Sequence, residues 1–433
     1  MGHERIAVTL ICLAAATGCG PAQTPDGSGG DRSATTLDAG LPTGAPGDVG
    51  MSSERLARIR PAMQAYVDDG RLAGVMTMVA RRGKVVHWEA VGMRDLETGD
   101  PLEPDDVFRI YSMTKPVTTV AALILVEEGK LALADPVSKF IPEFGRVTVL
   151  TAAGSRVAPT RPITIEHLMS HTSGLTYGFF GETPVDSLYR QSGLFAQAVG
   201  LDDFARRVAE LPLLANPGDR WNYSVSTDIL GRVVEVVSGQ PFDAFVQQRI
   251  LDPLGMEDTG FMVPPEARGR FTANYSRVDG ALQMADSPVD GQYTRAPAWL
   301  SGGGGLVSTA SDYIRFAQML LQDGQLGDVR ILAPETVRMI RANRLPDAFV
   351  PINVASYLSP AYGFGLGFAV LVDESASPEA DNTGVYRWAG AANTYFWIDP
   401  KAELVAMVWT QISPFVVYPI DREFQALVYG AIQ

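Results

Sequence analysis

The chain has 433 residues, a formal net charge of −14 at pH 7 and a sequence pI of about 4.8. This acidic balance argues against nucleic acid or an anionic membrane surface as a partner, because both are themselves negatively charged. The two cysteines, Cys12 and Cys19, lie near the N-terminus, so neither disulfides nor thiol catalysis are expected in the rest of the chain.

The N-terminus is predicted to be a processing signal. Arg5 supplies a positive charge, and residues 6–16 form an apolar run that is too short to span a bilayer. The run ends in Ala16-Thr17-Gly18-Cys19, which resembles a bacterial lipoprotein cleavage box. We expect residues 1–18 to be a signal peptide and Cys19 to carry lipid that anchors the protein at the periplasmic face, at the outer membrane. An ordinary secretory signal with an incidental cysteine is the alternative.

Composition divides the rest of the chain into two parts. Residues 19–50 are rich in Gly, Pro, Ser, Thr and Asp, which predicts a flexible tether. Residues 51–433 are long enough for one large domain. No later segment approaches 18 uninterrupted apolar residues, so membrane contact is expected only through the lipid.

The first elements of the domain are a helix and a hairpin. Ser53 is expected to cap an amphipathic helix that is kinked at Pro61. Apolar runs at residues 75–80 and 84–91 flank Arg82-Gly83 and predict a β-hairpin. A long apolar helix is then predicted from about Ser112 to Glu128.

Helical patterns dominate the middle of the chain, and strand signals return near its end. Further helices are predicted at residues 164–169, 202–211, 227–237, 242–251, 310–322 and 422–429, and strands at residues 365–372, 395–398 and 404–410. This order indicates an antiparallel sheet that is built from both ends of the chain. The α/β part is expected at about residues 51–110 and 306–433, with a helical part inserted at about residues 111–305.

The first candidate for chemistry is the tetrapeptide Ser112-Met113-Thr114-Lys115, at the start of the long helix. Residues three apart on a helix share a face, so Ser112 and Lys115 are expected within reach of each other. The positive helix end favours an alkoxide and disfavours an ammonium, which moves both groups towards their reactive forms. On its own the tetrapeptide also fits a helix cap followed by a solvated lysine. The prediction of a lysine-activated nucleophile therefore depends on the segments that follow.

The second candidate is Tyr223, which follows a Pro-Gly turn and precedes a predicted helix. At the mouth of a loop its phenol is expected to point at Ser112. Tyrosinate is a competent base when a neighbouring ammonium lowers its pKa, and Lys115 is expected to supply that charge. An aromatic ring that plugs the loop against the core is the alternative.

The third candidate is Trp388-Ala389-Gly390-Ala391, at the start of a strand signal. Small residues there would let a substrate lie against the strand. The amide of Ala391 is expected to join the amide of Ser112 as an oxyanion hole. Because a glycine in a strand also marks bulges, this segment is informative only with the other two.

In this order, the segments are similar to those of the serine β-lactamase and penicillin-binding-protein-like superfamily, above all its family VIII carboxylesterases and class C β-lactamases. The resemblance runs from about residue 55 to the C-terminus and is carried by residues 109–115, 168–178, 223–231, 302–309 and 388–390. It implies a β-lactamase-like α/β (α+β) fold, in which helices flank an antiparallel sheet and an all-helical region is inserted. It also implies an acyl-accepting Ser112, Lys115 and Tyr223 as the proton-transfer pair, and the Ser112 and Ala391 amides as the oxyanion hole. No cofactor and no metal are expected.

Two departures from the β-lactamase pattern favour an esterase. Val225 stands where that pattern has an asparagine, and Trp388-Ala389-Gly390 stands where a Lys-Thr-Gly motif would hold a substrate carboxylate. Neighbouring Arg387 is expected to face away, because successive strand residues point to opposite faces. The expected function is a serine hydrolase of short-chain carboxylic esters, with a substrate-binding wall formed by Trp388, Ala389, Gly390 and Val225. A β-lactamase, a D-Ala-D-Ala carboxypeptidase or peptidase, and an inactive binding protein remain as alternatives.

Other catalytic arrangements find little support in the sequence. No Gly-x-Ser-x-Gly elbow occurs anywhere in the chain. His167 and His171 are four apart, but no acidic third ligand is placed with them, so both are predicted to be structural. The glycine run at residues 302–305 lacks the lysine of a phosphate loop and is predicted to pack closely against other backbone.

Overall fold

The computed structural model describes residues 38–354, 357–358, 361–377 and 382–433, so the predicted signal peptide and Cys19 lie outside the described residues. The α-helices are α1 Ser53–Leu56, α2 Ile59–Asp68, α3 Thr114–Glu127, α4 Ile165–Met169, α5 Pro184–Gln191, α6 Leu194–Gln197, α7 Gly200–Glu210, α8 Ser226–Ser238, α9 Phe242–Val246, α10 Asp252–Leu254, α11 Ala310–Leu321, α12 Pro334–Ile340 and α13 Ile420–Gly430. The strands are β1 Gly74–Arg81, β2 Lys84–Asp95, β3 Asp100–Pro101, β4 Phe108–Arg109, β5 Val149–Leu150, β6 Arg156–Val157, β7 Asn274–Val278, β8 Ala281–Asp286, β9 Val307–Ser308, β10 Gln325–Leu326, β11 Val329–Arg330, β12 Tyr362–Phe364, β13 Ala369–Leu371, β14 Tyr386–Gly390, β15 Thr394–Asp399, β16 Leu404–Trp409 and β17 Ile412–Ser413.

Opposite ends of the chain meet in one eight-stranded sheet, in the order β12-β13-β14-β15-β16-β1-β2-β3. The N-terminal hairpin joins the C-terminal strands where β1 pairs antiparallel with β16. Phe396 on β15 contacts Tyr313 of α11, and its neighbour Trp397 contacts Phe424 of α13. Because successive strand residues point to opposite faces, helices cover both faces of the sheet. The sheet built from both ends, as predicted from the sequence, is confirmed.

The N-terminal elements differ from the predictions in detail. Ser52, not Ser53, caps α1, and Pro61 lies in the first turn of α2, where a missing N–H costs little. The tether predicted over residues 19–50 does not extend to residue 50. Leu41 and Val49 are buried in the core, and residues 46–49 form a 3-10 helix. The apolar side chains that this stretch does contain hold it against the domain.

The inserted region is mostly helical, but the prediction that it is all helical is wrong. The hairpin of β7 and β8 lies within it and pairs in parallel with β17, close to the C-terminal end of the chain. Residues 365–372, predicted as one strand, form only β13 and the turn that precedes it. Gly365 and Gly367 lie in that turn, and Gly367 has a φ of 78°. Pairing between strands that lie far apart in the sequence, such as that of β7 with β17, leaves little local pattern to recognise.

Helix α3 is the central helix of the inserted region. Its residues 114–125 are all buried, and it packs against α8 and α9. A helix that is apolar on every side is stable only when other elements surround it. Among the described residues, no helix combines the length and the apolar character that a membrane span requires.

Arg109 ties β4 to the inserted hairpin, three residues before Ser112. Its guanidinium is fully buried, donates to Asp286 at 2.6 Å and to the Thr272 carbonyl at 2.5 Å, and lies over the Phe271 ring. A buried arginine is stable only when its donors find acceptors. The ion pair therefore fixes the strand that leads to the Ser112 turn.

Arg109→Met should lower the free energy of unfolding by at least about 2 kcal/mol, because it leaves Asp286 and the Thr272 carbonyl without their donor. The matched control is Arg277→Met in β7, which removes an exposed arginine and should change stability by no more than about 0.5 kcal/mol. Equilibrium unfolding in urea measures both variants. Equal midpoints for the two variants would show that Arg109 is no anchor.

Candidate active site

Ser112 lies in a single 3-10 turn, Tyr111–Met113, between β4 and α3. Tyr111 has a φ of 40°, a left-handed backbone conformation that is costly for a residue other than glycine. The hydroxyl of Tyr313 on α11 donates to the Met113 carbonyl at 2.9 Å and helps to hold the turn in place. The turn presents a half-buried serine hydroxyl in front of the first turn of α3.

Lys115 is completely buried and makes three hydrogen bonds through its Nζ. These reach Ser112 Oγ at 3.1 Å, the Tyr177 hydroxyl at 2.8 Å and the Gly303 carbonyl at 2.6 Å. The side-chain contact that the spacing of Ser112 and Lys115 predicts is therefore present. The carbonyl of Gly303 is able only to accept, so it fixes one N–H of the amine in every protonation state.

Tyr223 lies in the segment that leads into α8, and its hydroxyl donates to Ser112 Oγ at 2.7 Å. The Lys115 Nζ lies 4.7 Å from the centre of the Tyr223 ring. His171 packs behind this ring, with ring centres 4.9 Å apart. The structure thus brings together the three residues that the sequence marks as nucleophile and proton-transfer pair.

Tyr177 is a fourth polar group at this site, and sequence reasoning missed it. It is buried, hydrogen-bonds to Lys115, and its ring stacks on Phe179 with ring centres 5.1 Å apart. It follows the buried turn at residues 170–174, whose Gly174 has a φ of 82°. The turn signal Ser-His-Thr-Ser-Gly at residues 170–174, with a tyrosine three residues after it, is the local signal for Tyr177 in the sequence. That signal does not show that the turn folds back onto α3.

Burial sets the protonation states of these groups. Desolvation lowers the pKa of Lys115 to about 7, although the charge of Asp228 opposes this shift. Desolvation raises the pKa of Tyr223, and likewise that of Tyr177. The expectation that Lys115 lowers the pKa of Tyr223 is therefore wrong, because burial is the largest cause of the shift and the charge that acts on the phenol is that of Asp228, which also raises its pKa. Lys115 is the group able to lose its proton near neutral pH, and Tyr223 starts as a phenol.

The glycine run at residues 302–305 lies between α3 and α8. A Cβ at Gly303 would lie 2.6 Å from the Asp228 carboxylate and 2.8 Å from the Tyr177 hydroxyl, whereas at Gly304 the nearest atom would be 3.8 Å away. The Thr118 hydroxyl on α3 donates to the Gly302 carbonyl at 2.7 Å. The close packing predicted for the run is confirmed, and it brings the Gly303 carbonyl to Lys115.

Strand β14 runs directly past the Ser112 turn. A Cβ at Gly390 would collide with the Ile110 carbonyl, so glycine allows the strand to lie against the backbone there. Ala391 lies one residue beyond the strand and borders the same cavity as Ser112. This placement is compatible with the predicted pair of oxyanion amides. Arg387 points away, as expected, and pairs with Asp421 of α13.

Ser112 borders one of two neighbouring cavities that share lining residues. The smaller, of about 50 Å³, is apolar and is lined by Ser112, Phe180, Tyr223, Val354, Tyr357, Trp388, Ala389, Gly390, Ala391 and Phe415. The larger is an open cleft of about 720 Å³ with Arg220 and Glu182 at its border. Phe180, Tyr223 and Val354 line both cavities, so the serine hydroxyl has a small apolar pocket on one side and a wide cleft nearby.

Val225 and the two histidines have positions away from these cavities. Val225 is fully buried and lines neither cavity, so the expectation that it contacts substrate is wrong: its apolar side chain packs into the core instead. His167 accepts from the Thr164 amide as part of a helix cap, and His171 bonds to Ser224. Among the described residues no group of three or more His, Cys, Asp or Glu side chains is placed to hold a metal ion.

Comparison with known proteins agrees with this geometry. The sequence profile of the Beta-lactamase family matches residues 59–430. Protein Rv1367c of Mycobacterium tuberculosis is 39% identical over 364 residues, which cover 82% of this chain and 89% of that protein. Esterase EstB of Burkholderia gladioli is 33% identical over 375 residues, covering 82% and 90%. The solved structure of EstCE1, described as a hydrolase with promiscuous acyltransferase activity, is 29% identical, with a TM-score of 0.76 and coverage of 87% and 99%.

Gly303→Ala should reduce turnover of an ester substrate by roughly a hundredfold, because a displacement of about 1 Å at a catalytic group has that effect. Its added methyl group would push against Asp228 and Tyr177 and move the carbonyl that holds Lys115. Gly304→Ala, one residue along the same loop, should keep near-wild-type activity. Steady-state assays of both folded variants test this, and equal activities would contradict the role given to Gly303.

Proposed function

The chain belongs to the Beta-lactamase family, and we propose that it is a serine hydrolase that cleaves short-chain carboxylic esters through an acyl-enzyme on Ser112. The observation that carries this proposal is the contact of one serine hydroxyl with both Lys115 and Tyr223 beside a small apolar cavity. The names of two relatives support ester chemistry, since EstB is an esterase and EstCE1 a hydrolase with acyltransferase activity.

The first step is attack by Ser112 on the ester carbonyl. In the neutral Lys115 amine, the Gly303 carbonyl and the Tyr177 oxygen hold the two hydrogens, which leaves the lone pair facing Ser112 Oγ at 3.1 Å. As the Oγ–C bond forms, the hydroxyl proton moves to Lys115 and the carbonyl oxygen becomes an oxyanion. We assign the backbone amides of Ser112 and Ala391 to that oxyanion.

The second step is departure of the alcohol. The Tyr223 hydroxyl gives its proton to the leaving oxygen and regains one from the Lys115 ammonium, which faces its ring at 4.7 Å. The C–O bond of the ester breaks and the acyl group remains on Ser112. Water then attacks the acyl-enzyme, loses its proton through the same two residues, and the acid and free serine are released.

The lining of the small cavity favours uncharged acyl groups. None of its ten lining residues carries a charge, and five of them are aromatic. A substrate carboxylate would lose its water there without gaining a cationic partner, which costs several kcal/mol. The alcohol of an ester also leaves the tetrahedral intermediate more readily than the amine of an amide, because an alcohol needs less protonation in order to leave. Both effects favour neutral esters over β-lactams.

A second candidate reaction is transfer of the acyl group to an alcohol instead of water. The open cleft of about 720 Å³ adjoins the acyl cavity through three shared residues, so an alcohol is able to bind while the acyl group is still on Ser112. The description of EstCE1 as a hydrolase with promiscuous acyltransferase activity supports this candidate.

Lipidation at Cys19 and a periplasmic location are separate proposals that depend on the sequence alone.

An aryl butyrate should be turned over with a kcat/KM at least about a hundredfold above that of a chromogenic cephalosporin, which corresponds to roughly 3 kcal/mol of lost transition-state binding. Parallel assays at neutral pH measure both constants, and Ser112→Ala gives the background for each substrate. A preference for the cephalosporin would refute the esterase assignment while leaving the serine mechanism intact. Turnover of both substrates by Ser112→Ala would refute the nucleophile itself.

A further inference from the structure

A buried carboxylate lies behind Lys115 and takes no part in the proton transfers described above. Asp228 lies in the first turn of α8 and is 1% exposed. Its Oδ1 accepts hydrogen bonds from the Ser301 hydroxyl at 2.6 Å and from the Gly303 amide at 2.8 Å. Removing a carboxylate from water costs free energy unless it is well paired, so the burial of Asp228 indicates a specific role at this site.

We propose that Asp228 is a positioning residue, which holds Lys115 against Ser112 through the Gly303 residue and supplies the negative charge that faces the buried amine. The inference rests on the proposed function, because it takes Lys115 as the base. Gly303 provides the mechanical link: its N–H donates to Asp228 and its carbonyl accepts from Lys115 at 2.6 Å. With both of its backbone groups engaged, Gly303 is fixed between α8 and α3.

Among the described residues that face Lys115, Asp228 is the one carboxyl group. Tyr177 and His171 face it from the segment after α4, Tyr223 from the segment before α8, and Asp228 from α8 itself. Burial raises the pKa of both tyrosines and lowers the pKa of His171, so these three groups are neutral around pH 7. Asp228 is the carboxyl group of this set: burial raises its pKa, whereas the charge of Lys115 and the hydrogen bonds from Ser301 and Gly303 lower it and favour the anion. The charge of that anion raises the pKa of Lys115 against the larger effect of burial.

The charge of Asp228 sets the pH at which Lys115 becomes an active base. Lys115 acts as a base in its neutral form, so the rate of acylation rises with pH as the amine loses its proton. Removing the negative charge of Asp228 makes the ammonium less stable and lowers the pKa of Lys115. The acid limb of the pH–rate profile should therefore move to lower pH.

Two substitutions separate the charge from the anchoring. Asp228→Asn keeps the Oδ1 acceptor that both Ser301 and Gly303 use, and it removes the charge by placing an NH2 group where Oδ2 was. Asp228→Ala removes the charge and both anchors, so it should also lower the maximal rate because Gly303 is no longer held. Asp312→Asn is the matched control: Asp312 is a buried carboxylate in the first turn of α11 that accepts from the Asp258 amide and the Thr259 hydroxyl.

The test is the pH dependence of the second-order rate at which a fluorophosphonate labels the full-length protein. This probe reports activation of the serine for any substrate class. Asp228→Asn should shift the acid limb by roughly one pH unit to lower pH, the order expected for a nearby opposite charge. Asp312→Asn should leave the limb where it is in the wild type.

Each outcome decides the question. The shift in Asp228→Asn without a shift in Asp312→Asn supports the inference, whether or not Asp228→Ala folds. An unshifted limb in Asp228→Asn overturns it, because Asp228 would then be uncharged or without influence on Lys115. A wild type that is not labelled at all overturns the proposed function first, and the inference with it.

Discussion

The removal of the Lys115 amine from water is the constraint on which the rest of the site depends. An ammonium with full access to solvent is no base near neutral pH, and burial brings its pKa down to about 7. That burial requires α3 to be surrounded, and it requires acceptors for each of the three hydrogens of the ammonium form. Ser112, Tyr177 and Gly303 supply those acceptors from three separate parts of the chain.

The fold meets these demands by placing the site where its two parts join. Strand β14 belongs to the sheet, whereas Tyr177 and Tyr223 come from the inserted region, and both parts reach the Ser112 turn. Gly390 lets the strand lie against that turn, and Gly303 lets its loop lie between Asp228 and Tyr177. Close backbone approach, which side chains would prevent, thus determines the geometry of the reacting groups.

Local patterns in the sequence are sufficient for part of this arrangement. The spacing of Ser112 and Lys115 on an apolar helix predicts their contact, and apolar runs at both ends of the chain predict the composite sheet. Tyr177 and Asp228 could not be found in this way, because their roles depend on a turn and a glycine loop that fold back onto α3. Val225 shows the converse error, since a position inferred from resemblance proved to lie in the core.

Capture of the covalent intermediate tests the account most directly. The wild-type protein is mixed with an aryl butyrate, quenched in acid within the first turnover, digested, and the peptides are analysed by mass spectrometry. We expect one butyryl group on the peptide that contains Ser112, and none on that peptide in Ser112→Ala. Butyrylation of another residue, or full turnover by Ser112→Ala, would contradict it.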